Sequence, residues 1–319
     1  MRFLARRLVF ALLLVAVAAG GALLLARLAP GDITQDLVGR APAEEIAATR
    51  ARFDLDRAPL AQLWLWTTRL VRLDLGTSYL YNQPVAPLVA RAAINTAGLG
   101  LTALCLATIT GLSLGMVTGT RRGFLPSVIR AASLMCVSLP PLLTSLLLVM
   151  VAARTGWFPL GSMTSAAAVD QGWTDWLADV ARHLPLPALA LALPIAATFE
   201  RLQAQSMGEA IGQPFVMAAI ARGVPRDAVI LRHAWPASLR PICAVYGVAI
   251  GALLSGSFVV EYVTAWPGLG RLMYDALRAR DVYLVTGCAA AGAAFVGFGL
   301  FVGDVLLAAV DPRVREDAV

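Results

Sequence analysis

The 319-residue chain contains no lysine, so all 26 of its basic residues are arginines, and only 14% of its residues are charged. A soluble globular domain is about 25% charged and about 45–50% apolar, whereas 59% of this chain is hydrophobic. The arginines are scattered between apolar blocks rather than clustered on one face, which argues against a nucleic-acid-binding surface. Arginine contacts lipid phosphates through its planar fork, but we favour coding bias in a GC-rich genome as the reason for its exclusive use.

Histidine and cysteine are also scarce, which leaves little material for a metal centre or a catalytic site. The two histidines, His183 and His233, have no catalytic partner near them in sequence, and both kinds of site need several such groups. The cysteines lie inside apolar blocks without C-x-x-C spacing, so we expect small buried apolar residues rather than disulfides or metal ligands. They are Cys105, Cys136, Cys243 and Cys288.

A phosphate-binding loop of the form G-x4-G-K-S/T is absent as well. Such a loop cradles the phosphates of ATP in many ATPases, so any ATP and Mg²⁺ would be bound by another chain. The sequence therefore predicts a protein that is not an enzyme and that binds no cofactor itself.

Six apolar blocks nearly free of charge predict six transmembrane helices and an all-α membrane protein, because a spanning helix needs about 20 apolar residues. The blocks are 8–26, 92–120, 131–153, 184–199, 241–260 and 282–303. The first has 19 residues, more than the roughly 7–15 of a signal peptide's apolar region, so we interpret it as an uncleaved anchor. The fourth is short and contains three prolines, which predict a kink.

The distribution of arginine predicts that both termini are cytoplasmic. With the N-terminus inside, the cytoplasmic segments contain 13 arginines, and the external segments other than the long first loop contain five. Long loops are translocated largely regardless of their charge, so the first loop is left out of this comparison. Tryptophan, which prefers the membrane interface, falls mostly in the predicted external segments.

A helix is predicted over residues 60–75 of the first external segment. It combines apolar bulk around Trp64 and Trp66 with Arg69 and Arg72. Such a helix could lie on the outer membrane surface or pack inside a small external domain, and the sequence favours neither.

Two acidic residues border the predicted spans. Glu261 could contact an amine of a substrate, but we favour pairing with Arg271 or Arg278, because charges at the interface are usually paired. Asp304 could be a proton or ion site, but we favour an interfacial residue paired with an arginine such as Arg313.

The longest predicted cytoplasmic loop, 200–240, contains an apolar stretch that a passive polar linker would lack. Pro214 can begin a helix that continues from Phe215 to Arg222 and ends at Gly223 in a left-handed cap. A second helix can begin at Pro225 and run to about His233. The partly apolar surface of this helix-turn-helix could dock a partner chain or pack on the protein's own spans, and composition alone favours neither.

This loop resembles the coupling loop of ABC importer permeases, whose pattern is E-A-A-x3-G-x9-I-x-L-P. Four places match the pattern: Ala218, Ala219, Gly223 and Pro236. Three places differ: Met217, His233 and Trp235. The family's Thr-Ala-Arg-Ala-Lys-Gly run is Ala-Ala-Ile-Ala-Arg-Gly at 218–223.

The rest of the chain resembles the dipeptide, oligopeptide and nickel branch of these permeases, in order and at the right spacing. The matching elements are LAPGD at 28–32, LDLGTS at 73–78, QPV at 83–85, WPGLG at 266–270, R-D at 280–281 and DPRVR at 311–315. Each element alone is weak, but their combination is specific. The resemblance implies a type I ABC importer permease fold with six transmembrane helices.

The resemblance also implies four segments along the chain. They are an N-terminal transmembrane helix (1–28), an external segment with an interfacial helix (29–91), a five-helix core that includes the coupling loop 204–240 (92–310), and a cytoplasmic tail (311–319).

Partner chains follow from the resemblance too: a second homologous permease, two ATPase subunits that bind ATP and Mg²⁺, and an extracytoplasmic solute-binding protein, all at the inner membrane. It implies ATPase coupling by Pro214, Phe215, Ala218, Ala219, Arg222, Gly223, His233 and Pro236. It implies an external gate, facing the binding protein, at Glu261, Trp266, Pro267, Gly268 and Gly270. The glycines there would permit a re-entrant, non-helical turn.

The expected function is therefore a permease that forms the translocation path for peptides or a related small solute, energised by separate ATPases. Dipeptides, oligopeptides, nickel chelates and glutathione stay open as cargo, as do homodimeric and heterodimeric permeases. The alternative is an ion-coupled secondary transporter, which needs ionisable residues near mid-membrane. The second, third, fifth and sixth blocks are apolar through their centres.

Overall fold

The structure, a computed structural model, describes residues 2–35, 40–70, 72, 74–165 and 172–310, and side chains from Arg6 to Ala309. Helices dominate these residues, and the only strand-like pairing among them is an isolated bridge between Thr77 and Pro84. The helices are α1 (Arg2–Leu28), α2 (Ala43–Arg52), α3 (Pro59–Leu70), α4 (Val85–Thr120), α5 (Phe124–Ser138), α6 (Pro141–Thr155), α7 (Trp173–His183), α8 (Pro185–Ile211), α9 (Pro214–Ala221), α10 (Arg226–Val229), α11 (Trp235–Ser238), α12 (Arg240–Val263), α13 (Leu269–Arg278) and α14 (Val282–Val310).

Five of these helices are long and apolar enough to cross a membrane: α1, α4, α8, α12 and α14. The pair α5 and α6 forms a sixth candidate, which is bent by 111°. The predicted all-α class is confirmed, and the six predicted spans correspond to these five helices and the bent pair.

The third predicted span, 131–153, is not a single helix. α5 ends at Ser138, and Leu139 takes an extended conformation (φ −89°, ψ 118°), which is the conformation favoured before a proline. Neither Pro140 nor Pro141 has a backbone N–H to continue the helical hydrogen bonds. The two prolines therefore break the span that the apolar block alone predicts.

The fourth span is longer than predicted. α8 covers 27 residues, Pro185–Ile211, whereas the predicted block ends at Phe199, just before the first polar residues. Glu200 and Gln203 are only 1% and 0% exposed, so packing inside the protein accommodates them in the helix. The predicted cytoplasmic loop accordingly shortens and begins at Gly212.

The chain divides into two compact units. One comprises the described residues of Phe3–Ala97 and Pro267–Gly297, and the other comprises those of Gly98–Trp266 and 298–310. In the first unit, α3 buries Trp66 (2% exposed) and leaves Trp64 (73% exposed) outside. The buried tryptophan favours the packed alternative for this helix over one that only lies on a membrane surface.

A buried carboxylate ties together two of the short sequence elements in the first unit. Asp281, of the R-D element, accepts hydrogen bonds from the Ser78 hydroxyl at 2.6 Å and from the Leu284 N–H at 3.1 Å. The second bond satisfies a free N–H in the first turn of α14, so Asp281 acts as a helix cap. The first bond holds the LDLGTS turn against it.

α8 is the central helix of the second unit, and α5, α6 and α12 pack on it. α4 approaches it through three glycines spaced by four residues, Gly111, Gly115 and Gly119. A Cβ added at each would lie 2.6–2.7 Å from a backbone carbonyl oxygen of α8. Small residues at this spacing let the backbones of two membrane helices come close together.

All four cysteines lie in the described residues and are free thiols. Cys288 is buried, Cys136 and Cys243 are half-buried, and Cys105 is exposed. The expectation of buried cysteines therefore holds only for Cys288. Cys105 lies on α4, a candidate span whose outer face need not be polar.

Candidate functional site

The connection between α8 and α12 folds into a compact helical element, residues 212–239, here named the connector. It consists of α9, a turn, α10, a π-helical turn (Ile230–Ala234) and α11. Pro214 is the first residue of α9, where its missing N–H costs no hydrogen bond. The second helix, predicted to end near His233, continues through the π-helical turn to Ser238.

Gly223 ends α9 in the predicted left-handed conformation, with φ +80°. Its N–H donates to the Ile220 carbonyl at 2.9 Å, and the Val224 N–H donates to the Ala219 carbonyl at 3.3 Å. These two bonds form a complete Schellman cap. The prediction of a glycine cap at this place is confirmed.

The connector and the end of α8 together form one apolar core. Its fully packed residues are Val216, Ala219, Val229 and Ala234 of the connector with Met207 and Ala210 of α8. A buried hydrogen bond of 2.7 Å joins the Gln203 side-chain amide of α8 to the Ser238 hydroxyl. Such packing makes the connector a folded element rather than a flexible linker.

The sides of α9 that point away from the buried Val216 and Ala219 are apolar and exposed. Phe215, Met217 and Ile220 are 46%, 59% and 47% exposed. The helix therefore combines the two alternatives left open by the sequence, because one face packs on the protein's own α8 and the other remains outside. An exposed apolar face of this kind is typical of an interaction surface.

The remaining residues of the predicted coupling site differ in exposure. Ala218 and Arg222 are exposed, and the Arg222 Nε donates to the Ala218 carbonyl at 3.2 Å. His233 is half-buried in the π-helical turn, and Pro236 is exposed in α11. Ala219 lies in the core instead, so its small size serves the packing of the connector.

Two residues of the predicted external gate lie in the second unit and are buried. Glu261, in the last turn of α12, is 0% exposed, and Trp266 is 2% exposed. The Glu261 backbone carbonyl accepts a 2.9 Å hydrogen bond from the Trp266 N–H. Trp266 packs with Leu253 and Val260 in an apolar cluster.

The other three, Pro267, Gly268 and Gly270, lie in the first unit. The Pro267 carbonyl accepts a hydrogen bond from the Asn95 amide at 2.8 Å. Gly268 is extended, with φ −104° and ψ −174°, and Gly270 lies inside α13. Gly268 is thus non-helical, while the left-handed residue of this turn is Ala265, with φ +53°.

Pro267 and Gly268 line a cavity of about 350 Å³ in the first unit. The rest of its lining is Tyr81, Leu88, Arg91, Ala92, Asn95, Arg271, Leu272 and Asp275. Burial, and then the negative charge of Asp275, raise the pKa of the Tyr81 hydroxyl. Tyr81 therefore stays a neutral hydroxyl that can both donate and accept a hydrogen bond at this cavity.

Glu200 is a buried ionisable residue that the sequence analysis misses, because it assigns this position to a loop. Its Oε1 accepts a 2.5 Å hydrogen bond from the Thr118 hydroxyl. The Thr118 carbonyl in turn accepts a 2.5 Å bond from the Arg130 guanidinium. No local motif marks Glu200, but the G-x3-G-x3-G spacing on α4 is a sequence signal for the helix contact that buries it.

Comparison with known proteins identifies the family to which the chain belongs. Residues 111–316 match the family of binding-protein-dependent transport system inner membrane components. The chain is 33% identical over 298 residues to a peptide transport system permease protein of Brucella abortus (strain 2308), covering 92% of each chain. It is 31% identical over 328 residues to the oligopeptide transport system permease protein OppB of Mycobacterium tuberculosis (strain H37Rv), covering 98% of this chain and 99% of the relative.

The candidate spans and the folded connector are those expected of a polytopic transport component. The chain belongs to the family of binding-protein-dependent transport system inner membrane components. Members of this family are permeases of ABC importers. The chain is thus a multi-pass inner-membrane protein and one component of a larger transport system. The family match includes all of the connector, from Gly212 to Leu239.

Proposed function

We propose that this chain is the permease subunit of a peptide importer, and that ATPase subunits drive it through the connector. The exposed apolar face of α9 is the observation that carries the proposal, because a folded element with such a face can transmit a displacement from a docked partner. The relatives named for peptide and oligopeptide transport support peptides as the cargo.

In the proposed mechanism, the connector transmits movement of the ATPase to α8. Its core is continuous with the end of α8, so movement of a docked ATPase would move α8 with it. Two ATPases, a second permease and an external solute-binding protein complete the proposed complex. Both termini and the connector lie in the cytoplasm, and the WPGLG turn lies on the external side, in agreement with the arginine distribution.

Charge on the exposed face of α9 should disrupt docking of the ATPase. The double variant Met217→Glu, Ile220→Glu places two carboxylates there without touching the connector core. Central residues of interfaces contribute about 2 kcal/mol or more each, so we expect at least about a 30-fold loss of ATPase co-purification and of peptide uptake. Leu160→Glu is the matched control, since Leu160 is also exposed and lies outside the candidate spans.

Unchanged uptake by the double variant, at normal membrane levels, would contradict docking through this face. A buried position would not give so clear a test. Ala219→Glu forces a charge into the apolar core of the connector, so its failure would report folding as well as coupling.

A further inference from the structure

Arginines from three parts of the second unit converge where α4 ends. Arg121, Arg122 and Arg226 line two adjoining cavities of about 660 and 600 Å³. Arg130 of α5 joins them in the second cavity. Thr118 and Thr120 lie in the same lining, but their hydroxyls already donate to Glu200 and to the Met116 carbonyl, so the arginines supply the charged donors there.

This positive charge is poorly balanced within the chain. Among the residues that the structure describes, Asp227 is the single carboxylate that lines either cavity. Within the described ranges, none of the four arginines has a carboxylate oxygen within 4.0 Å. Like charges in close proximity repel each other, so an anion bound between them would stabilise the arrangement.

The residues next to the cavities are apolar, and their side chains are exposed on the surface of the chain. Phe124 and Leu125, directly after the arginine pair, are 87% and 62% exposed. Leu134 and Val137 follow on α5 and line a further cavity together with Arg130. The arginine pair comes directly after the candidate span that ends at Thr120, and arginines that directly follow an apolar span are expected in the headgroup region.

We propose that the cavities bind the phosphate headgroup of an anionic phospholipid, with its acyl chains along the exposed apolar face of α5. Arginine holds phosphate oxygens in a two-pronged geometry, and basic pockets between membrane helices bind anionic headgroups. A soluble phosphate would meet the same arginines but would make no use of Phe124 and Leu125. Because Arg226 belongs to the connector, the bound lipid also fastens the connector to the end of α4.

The test uses the purified transporter in nanodiscs that contain phosphatidylglycerol and phosphatidylcholine, followed by mild delipidation and mass spectrometry of the retained lipid. Retained phosphatidylglycerol is compared between the unaltered chain and the variant Arg122→Gln, Arg226→Gln. Each arginine near an anionic headgroup contributes about 1 kcal/mol, or about a five-fold factor, so about 30-fold weaker retention is expected. Arg154→Gln, at the exposed end of α6, is the control and should retain the lipid.

A second arm measures thermal unfolding in detergent with added phosphatidylglycerol, phosphatidylcholine or inorganic phosphate. The proposal predicts a higher Tm with phosphatidylglycerol alone, and loss of that shift in the double arginine variant. Equal stabilisation by inorganic phosphate would overturn the lipid assignment and indicate an ordinary anion site. Unchanged lipid retention in the variant, with loss of ATPase co-purification, would also overturn it and indicate an acidic protein surface as the occupant.

Discussion

Asp32 illustrates how a single residue of a short sequence element organises the chain after the first span. Burial alone would raise the pKa of Asp32, but hydrogen bonds from Thr34 and the charge of Arg50 outweigh it and lower the pKa below 3.8. The Arg50 guanidinium lies 2.5 Å from the carboxylate, and the Thr34 N–H donates to it at 2.9 Å. The LAPGD element thereby attaches the end of α1 to α2.

A carboxylate whose pKa is lowered in the folded state stabilises the protein above its unfolded pKa, and this contribution is lost as the pH falls through the folded value. We expect the segment 40–70 to lose protection from hydrogen exchange below about pH 4. Asp32→Asn should be about 1 kcal/mol less stable at pH 7 and should lack this acid dependence. An acid transition identical in Asp32→Asn and the unaltered chain would assign it to other groups.

The Thr118 hydroxyl donates a hydrogen bond to the buried Glu200 carboxyl group. The contribution of this bond to stability can be tested with a single substitution. Thr118→Val removes the hydroxyl and leaves that carboxyl oxygen without its donor, so we expect a loss of about 1–2 kcal/mol. Thr118→Ser keeps the hydroxyl and should stay close to the original stability. Thermal unfolding in detergent measures both, and an equal Tm for the two variants would show that the hydrogen bond contributes nothing.

The close contact between α4 and α8 can be tested at a single glycine. A Cβ at Gly115 would lie 2.6 Å from the Glu200 carbonyl oxygen and from the Gln203 Cβ, so Gly115→Ala must separate the helices. Overpacking of this kind costs about 1–3 kcal/mol. Gly100→Ala on the same helix is the control, since nothing lies within 4 Å of its Cβ and alanine favours a helix. A Gly115→Ala variant as stable as Gly100→Ala would contradict the close packing.

Most helices could be predicted from the sequence, because apolar length alone defines a span. The connector could be predicted in part as well, since Pro214 and Gly223 are strong local signals for where α9 begins and ends. The break in the third span depends on two adjacent prolines, whose effect within an apolar block is hard to distinguish from a kink. The end of α8 could not be placed, because burial of Glu200 and Gln203 depends on partners distant in sequence, such as Thr118 and Ser238.

The residues of the candidate site could be predicted from the sequence. Which of them lie on the exposed face of α9 could not. Phe215 and Ala219 are both predicted as coupling residues, yet the structure buries Ala219 and exposes Phe215. The period of a short helix that is apolar throughout does not distinguish the two faces. Only the position of α8 beneath α9 decides which side can receive a partner.

Among the described residues, the chain has several candidate membrane spans and a folded connector, and its sequence has no phosphate loop. Its function as proposed depends on chains that supply ATP hydrolysis and on a second permease. In this proposal the connector is the part through which those chains act, and the proposed lipid site lies beside it.

The most direct test is a mild-detergent pull-down of the tagged chain, with an ATPase assay and identification of the proteins that co-purify. We expect two ATPase chains, a second permease and measurable ATP hydrolysis. A correctly folded chain that purifies alone, without ATPase activity, would contradict it.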